Sequence, residues 1–330
     1  MADQIEDTPV YYEELYDLER EFEDVEVEII RQQYILSKPL YAKRAELVAK
    51  IPKFWALVLE QAPVEIDEYI QPTDANVLYS HLTNLTVSRF SLEEDEKKGD
   101  PRNFLVRFEF SENEYFEDRV IEKKFWWRHS KDGFEGLVSE PVTIKWKEGK
   151  DLTEGLLDLA KAVYDEQLAA PKEAKKGKQT ELTEKQKTLK KKISETGMGG
   201  VSFFCFFGYV GEIVSEEESK EVIAKENERR KKRQAGEKVK DEDEDMEDEE
   251  DLDDDEEDDE LDIFPPGDVV AVTIADELWP NAIKYFTQAQ DQDLDDVDFE
   301  DFEEDDEEEE NSGNARPPKK HKRCASGCKH

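Results

Sequence analysis

Apolar residues recur at alternating intervals of three and four near the start of the chain. They are Leu15, Leu18, Phe22, Val25 and Ile29 and, after the polar Gln32, Leu36. The positions between them are mostly charged, so only this narrow stripe can be buried, as in the seam of a coiled coil. Thr8 and Pro9 are residue types that start helices, and the pattern predicts a helix over 9–51 after an N-terminal extension over 1–8.

A helix of this length with so little apolar surface needs a partner. It could fold back on its own domain, or it could pair with the same helix of a second chain; we expect the second, a homodimer. The six apolar residues of the stripe are then the dimerisation residues. Pro39 lies inside the helix, where proline removes a backbone hydrogen bond and clashes one turn back, so we expect a kink there.

The hydrophobic pattern changes to that of strands after a short, buried helix that ends before Pro63. Over 103–110 and 120–127, every second residue is apolar and a short loop connects the two, which predicts an antiparallel hairpin. Flanking strands are expected over 82–90 and 142–146. One apolar and one polar face indicate an antiparallel sheet with helices covering one side, which is an α+β fold.

Further core elements are expected up to residue 290. They are an amphipathic helix over 152–168, an aromatic core segment over 201–210, a charged helix over 216–232 and core segments over 269–274 and 278–286. Together they predict one domain over 52–290. Two stretches of this domain, about 169–199 and 234–263, lack such patterns and are expected to be flexible insertions. Residues 291–330 are expected to be a disordered tail.

Acidic residues are concentrated in two runs, with 19 carboxylates in residues 241–262 and 15 in residues 291–310. They account for 34 of the 87 Asp and Glu residues, so the rest of the chain carries only −7 of the formal net charge of −41. Such dense like charge cannot pack and stays solvated, and its natural partner is strongly basic. We therefore expect a folded body with an acidic internal loop and an acidic tail.

Catalytic and metal chemistry find little support in the sequence. None of the four histidines lies in a nucleophile or metal motif, and no glycine loop has the phosphate-binding pattern. The spacing of His321, Cys324, Cys328 and His330 fits no standard zinc site. Three cysteines cannot form a disulfide framework, and no apolar run reaches the length of a membrane span, so we expect a soluble intracellular protein without cofactor or metal and without enzymatic activity.

A basic cluster follows the acidic tail. Its cations are Lys319, Lys320, Lys322 and Arg323, and they are preceded by two prolines. Short lysine- and arginine-rich segments of this kind are typical of nuclear localisation signals. We expect the protein to be located in the nucleus, and a second fraction in the cytoplasm is an open alternative.

Six short motifs occur in an order that resembles the nucleosome assembly protein family, nearest its SET, or template-activating factor I, branch. They are KPLYAKR at 38–44, IPKFW at 51–55, FEFSENEYF at 108–116, IKWKEGKDLT at 144–153, SFF at 202–204 and LWPN at 278–281. The resemblance implies a long kinked dimerisation helix and, on each subunit, an "earmuff" domain of sheet and helices. It also implies that a concave acidic underside binds core histones.

The resemblance assigns histone contacts to Asp276 and Glu277, which match an acidic pair of the family. Polar histone contacts cannot be carried over to residues 205–209, and the segment 212–262 is longer than in the SET branch. The implied function is a histone chaperone that assembles nucleosomes with H3–H4 and H2A–H2B without ATP. Two alternatives remain open: an acidic inhibitor of a phosphatase, and a low-affinity calcium-binding protein.

Overall fold

A long first helix dominates the computed structural model, which describes residues 12–169, 182–196, 200–235 and 261–291. Helix α1 covers Tyr12–Val48, 37 residues or about 55 Å. It continues through Pro39, which has no N–H to donate to the carbonyl of Ile35 one turn back. The long helix is confirmed, whereas the kink stays a prediction and the expected start at Thr8 and Pro9 lies outside the described residues.

The sheet has four antiparallel strands in the order β1-β2-β3-β4. Their bounds are Leu82–Ser88 for β1, Phe104–Phe110 for β2, Val120–His129 for β3 and Glu135–Ser139 for β4. Strands β2 and β3 form the predicted hairpin, in which Phe104 lies opposite Phe125 and Phe108 opposite Ile121. The paired apolar residues share the face that packs against the core, so the α+β fold is confirmed.

One of the expected flanking strands is wrong. Residues 142–146 are not a strand; Trp146 forms a single bridge with Phe116, and the Val142 amide donates to the carbonyl of Phe207 (2.8 Å). A short apolar segment gives the same pattern whether it pairs in a sheet or lines a loop. The fourth strand is β4 instead, and its hairpin with β3 closes where the Ser130 amide donates to the carbonyl of Phe134 (2.9 Å).

The remaining elements are mainly helices. After α1 they are α2 (Phe54–Glu60), α3 (Val64–Asp67), α4 (Pro72–His81), α5 (Phe90–Glu94), α6 (Leu156–Ala169), α7 (Glu184–Thr196), α8 (Glu216–Gln234), α9 (Gly267–Val272) and α10 (282–291). A π-helical turn, Thr273–Leu278, joins α9 to the segment before α10. Within the described ranges, no helix is long and apolar enough to cross a membrane.

The aromatic segment expected in the core forms a 3-10 helix, Phe203–Gly208, all of whose residues are buried. Phe207 packs edge-on against Phe108 of β2, with ring centroids 5.5 Å apart, and Phe206 packs against Phe125 of β3 at 5.8 Å. The centre of the core is therefore a layer of rings between this segment and the inner face of the sheet. Aromatic side chains bury large areas, so this layer is a main source of the domain's stability.

The expected flexible insertion over 169–199 is wrong for its second half. Helix α7 packs against α6 and buries Leu189 and Gln186. Its start is fixed by a reciprocal pair of hydrogen bonds between Thr183 and Gln186, which is a capping box. Residues 170–181, residues 236–260, which contain most of the acidic run over 241–262, and residues beyond 291 lie outside the described residues.

A buried carboxylate anchors the aromatic segment to α4. Asp74 is fully buried and accepts hydrogen bonds from the Ser202 hydroxyl (2.6 Å) and from the amides of Phe203 (2.6 Å) and Gln71 (3.1 Å). Burial raises the pKa of Asp74, while the three donors oppose that rise.

We expect Asp74→Ala to lower the free energy of unfolding by about 2–4 kcal/mol, because it leaves buried donors without an acceptor. Urea unfolding measures the loss. Asp74→Asn is the matched control, since it keeps the shape and one acceptor oxygen, and we expect a smaller loss. Equal stability of the alanine variant and the parent protein would contradict the role of this carboxylate.

Candidate dimer and partner surfaces

The apolar stripe of α1 is open to solvent. Leu15, Leu18, Phe22, Val25, Ile29 and Leu36 are between 45% and 71% exposed. Soluble proteins rarely leave a contiguous apolar row of this length uncovered, and such rows mark interaction surfaces. The structure thus places all six predicted dimerisation residues together on one free face of one helix, which we call the seam.

The opposite face of α1 docks on the chain's own domain. Arg31 donates to the carbonyls of Glu96 (2.9 Å) and Gly99 (2.8 Å). Tyr34 donates to the carboxylate of Glu93 on α5 (3.1 Å). These hydrogen bonds hold the helix on its own domain, and they leave the seam unused. Packing on its own domain and pairing with a second chain do not exclude each other, because they use different faces of α1.

The C-terminal end of α1 is fixed by a buried arginine. The guanidinium of Arg44 lies 4.5 Å from the ring centre of Trp279 and 4.9 Å from that of Tyr41, and it donates to the carbonyls of Trp279 (2.5 Å) and Pro280 (3.1 Å). Burial lowers the pKa of Arg44 to about 10. These contacts tie α1 to the segment that directly follows the predicted histone contacts.

Asp276 and Glu277 lie together on the exposed side of the π-helical turn. Asp276 forms an ion pair with the largely buried Arg89, and about half of its side chain stays exposed. Glu277 accepts a hydrogen bond from the Tyr285 hydroxyl (2.8 Å). Both carboxylates are thus held by the fold and remain accessible from solvent.

Apart from the largely buried Arg89, the surface that helices α3 and α9 form around this pair has no lysine or arginine. Helix α3 packs against α9 and the π-helical turn, and neither 54–88 nor 261–283 contains a lysine or arginine. The exposed carboxylates of these elements are Glu65, Asp67, Glu68, Asp276 and Glu277, and Val64, Val269 and Val272 are exposed with them. Sequence reasoning missed the α3 carboxylates, although the cation-free stretch over 54–88 was visible. We call the five carboxylates the acidic surface.

The described part of the chain shows neither a metal site nor a reactive cysteine. No group of histidine, cysteine and carboxylate side chains there could hold a metal ion. Cys205 is buried among aromatic rings, and burial raises the pKa of its thiol, which disfavours the reactive thiolate. The basic cluster Lys319, Lys320, Lys322 and Arg323 and the zinc candidates near it lie outside the described residues.

The fold therefore defines a class of protein. Its members have an α+β domain joined to a long helix, with an exposed apolar seam on the helix and an acidic surface on the domain. The sequence model of the nucleosome assembly protein (NAP) family matches residues 4–289. The chain therefore belongs to the nucleosome assembly protein family.

Individual relatives match over shorter segments. Protein SET of Drosophila melanogaster is 36% identical over 131 residues, which is 39% of this chain and 45% of that protein. A Schizosaccharomyces pombe protein named for nucleosome assembly is 36% identical over 154 residues, 43% of this chain and 59% of that one. The matched segment thus spans about half the length of these relatives. The crystal structure of Vps75 is 22% identical, with a TM-score of 0.49, over 84% of this chain and 98% of that one.

Proposed function

We propose that this protein is a histone chaperone: a homodimer that binds core histones, both H3–H4 and H2A–H2B, and assists nucleosome assembly without ATP. The observation that carries the proposal is the free seam of α1 in a family member whose domain also presents the acidic surface. The basic cluster over 317–323 supports a nuclear location. The organisation that we propose is a dimerisation helix over 9–51, a domain over 52–290 and an acidic tail over 291–330.

Charge supports the choice of partner. Histones are basic, and a carboxylate surface competes with DNA phosphates for the same lysine and arginine side chains. Exposed charges are screened beyond about 8 Å at physiological salt, so contacts through the acidic tail are loose and easily exchanged. Carboxylates that the fold holds in place, such as Asp276 and Glu277, supply selectivity because their positions are fixed before binding.

Sedimentation of the protein with H3–H4 and with H2A–H2B over a salt series tests the proposal. We expect a discrete complex at low salt that dissociates as salt rises, and weaker but detectable binding when residues 291–330 are deleted. Titration with calcium under the same conditions tests the metal-binding alternative. The chaperone proposal fails if the folded protein forms no salt-sensitive complex with either histone pair.

We expect Asp276→Asn with Glu277→Gln to weaken histone binding about tenfold near physiological salt, since two charge contacts of about 0.5–1 kcal/mol each are lost. Fluorescence titration with labelled histones measures the change. The matched control removes two exposed charges elsewhere, by Glu112→Gln with Glu122→Gln, and should change affinity less than twofold. Equal losses in the two variants would mean that net charge alone, and not the acidic surface, binds histones.

A further inference from the structure

Helix α8 has a divided charge pattern. Three glutamates occupy its first turn, and five consecutive basic residues, 229–233, occupy its end. The only buried residue among its described side chains is Ser219, whose hydroxyl accepts a hydrogen bond from the His129 amide (3.1 Å). Apolar packing therefore contributes little to holding the rest of this helix in place.

Ion pairs join the basic end of α8 to α1. Arg233 donates to both carboxylate oxygens of Asp17, at 2.6 and 2.9 Å. Arg230 donates to Asp24 (2.7 Å) and lies 3.8 Å from Glu21. A bidentate arginine–carboxylate pair is among the stronger and more directional ionic contacts, and the neighbouring pairs extend it into a network.

A third contact runs in the reverse sense, from α1 to α8. Arg20 of α1 lies 3.6 Å from Glu226 of α8 and 2.7 Å from Glu135 at the start of β4. The alternation of charge fixes the register of the two helices, since a shift along the axis would place arginine beside arginine.

The N-terminal half of α1 depends on such contacts. Residues 12–30 contain nine carboxylates and one arginine, and none of their described side chains is buried. Among the described residues, the long-range ion pairs and side-chain hydrogen bonds that hold this half come from α8 and from Glu135. A helix of this length is marginally stable in water by itself, and the seam residues Leu15 to Val25 lie on it.

We propose that the basic end of α8 is an ionic clasp that holds the N-terminal half of α1 against the domain and neutralises it for pairing of the seam. The second part rests on the proposed homodimer. Without Arg230 and Arg233, two strongly acidic helix halves would enter the same dimer and repel each other. The clasp makes both the order of residues 12–30 and the dimer more sensitive to salt than the apolar seam alone would be.

Charge reversal of the two arginines, Arg230→Asp with Arg233→Asp, tests the clasp in the full-length chain. We expect amide hydrogen exchange of residues 12–30 to become at least tenfold faster at about 50 mM salt, where screening is weak, and the dimer dissociation constant to rise about tenfold. Reversal of the partners as well, by adding Asp17→Arg and Asp24→Arg, should restore both within threefold. Reversal of two exposed lysines of the same helix outside its basic end, Lys220→Asp with Lys225→Asp, is the control and should change either quantity less than twofold.

Exchange and dimerisation are separate readouts, so the two proposals can fail separately. Unchanged exchange of residues 12–30 in the arginine variant would overturn the clasp. The clasp would also be overturned if the variant with all four charges reversed had a folded domain but did not regain protection of residues 12–30. A parent protein that is monomeric at all salt concentrations would overturn the homodimer instead, while the exchange of residues 12–30 would still decide whether α8 holds α1.

Discussion

We expect Phe22→Glu with Val25→Glu to convert the proposed dimer into a monomer. The two side chains are 64% and 56% exposed in the single chain, and they are adjacent positions of the seam. Pairing would bury two added carboxylates per subunit against apolar side chains without partners, which costs several kcal/mol. We expect the dissociation constant of the dimer to rise more than a thousandfold, measured by sedimentation equilibrium over a concentration series.

The domain should stay folded in this variant, because neither side chain belongs to the core. Thermal unfolding of the sheet domain checks this. Glutamate at two exposed apolar positions away from α1, Leu168 on α6 and Ile213 before α8, is the matched control and should leave the dimer intact. If the parent protein sediments as a dimer and the seam variant does the same, a different surface joins the subunits.

The seam was predictable because it depends only on spacing within one helix. The opposite, docked face of α1 was not, because its contacts are made between distant parts of the chain. Arg31, for example, donates to the carbonyls of Glu96 and Gly99, and backbone carbonyls leave no trace in the side-chain pattern. From the sequence alone, the alternative of a helix that folds back therefore could not be separated from a helix that pairs.

The other errors of the sequence-based prediction concern α7 and β4. In both places a local signal for the element was present, but the composition of the segment pointed to a different structure. Helix α7 has a capping box at Thr183 and Gln186, yet its many lysines indicated an exposed insertion. Strand β4 follows the turn at Gly133, whose positive φ suits glycine, but the strand is short and begins with Glu135. Asp276 and Glu277 came from family resemblance alone, and only the structure joins them to the carboxylates of α3.

The position of Lys123 could not be explained from the sequence pattern. Alternation along β3 places it between Ile121 and Phe125 on the inner face, where a lysine is unexpected. It is fully buried, and its ammonium group donates to three backbone carbonyls, those of Glu140 (3.0 Å), Phe207 (3.1 Å) and Tyr209 (2.8 Å). Three donors thus meet three acceptors, and the contacts join β3 to the end of β4 and to the aromatic segment.

We expect Lys123→Met to lower the free energy of unfolding by about 1–3 kcal/mol, because the carbonyl of Tyr209 loses its donor. The carbonyls of Glu140 and Phe207 keep only the Ser139 hydroxyl and the Val142 amide. Methionine keeps the length of the stem and removes only the donors. Replacing a buried polar pair by apolar residues can be neutral when both partners are replaced, but here the acceptors belong to the backbone and stay. Urea unfolding measures the loss, and Lys124→Met, at the exposed neighbouring position, is the control and should cost much less.

The difference between Lys123→Met and the parent protein should also depend on pH. Burial lowers the pKa of Lys123 to about 7 from 10.5, with the charges of Asp262 and Glu140 opposing the shift. Between these values the unfolded chain binds more protons than the folded one, so the parent protein gains stability as pH rises, by up to about 1.4 kcal/mol per unit. The methionine variant lacks this gain, and its deficit should therefore widen between pH 7 and pH 9. A deficit that is constant over this range would mean that the amine keeps its proton, held by the three carbonyls.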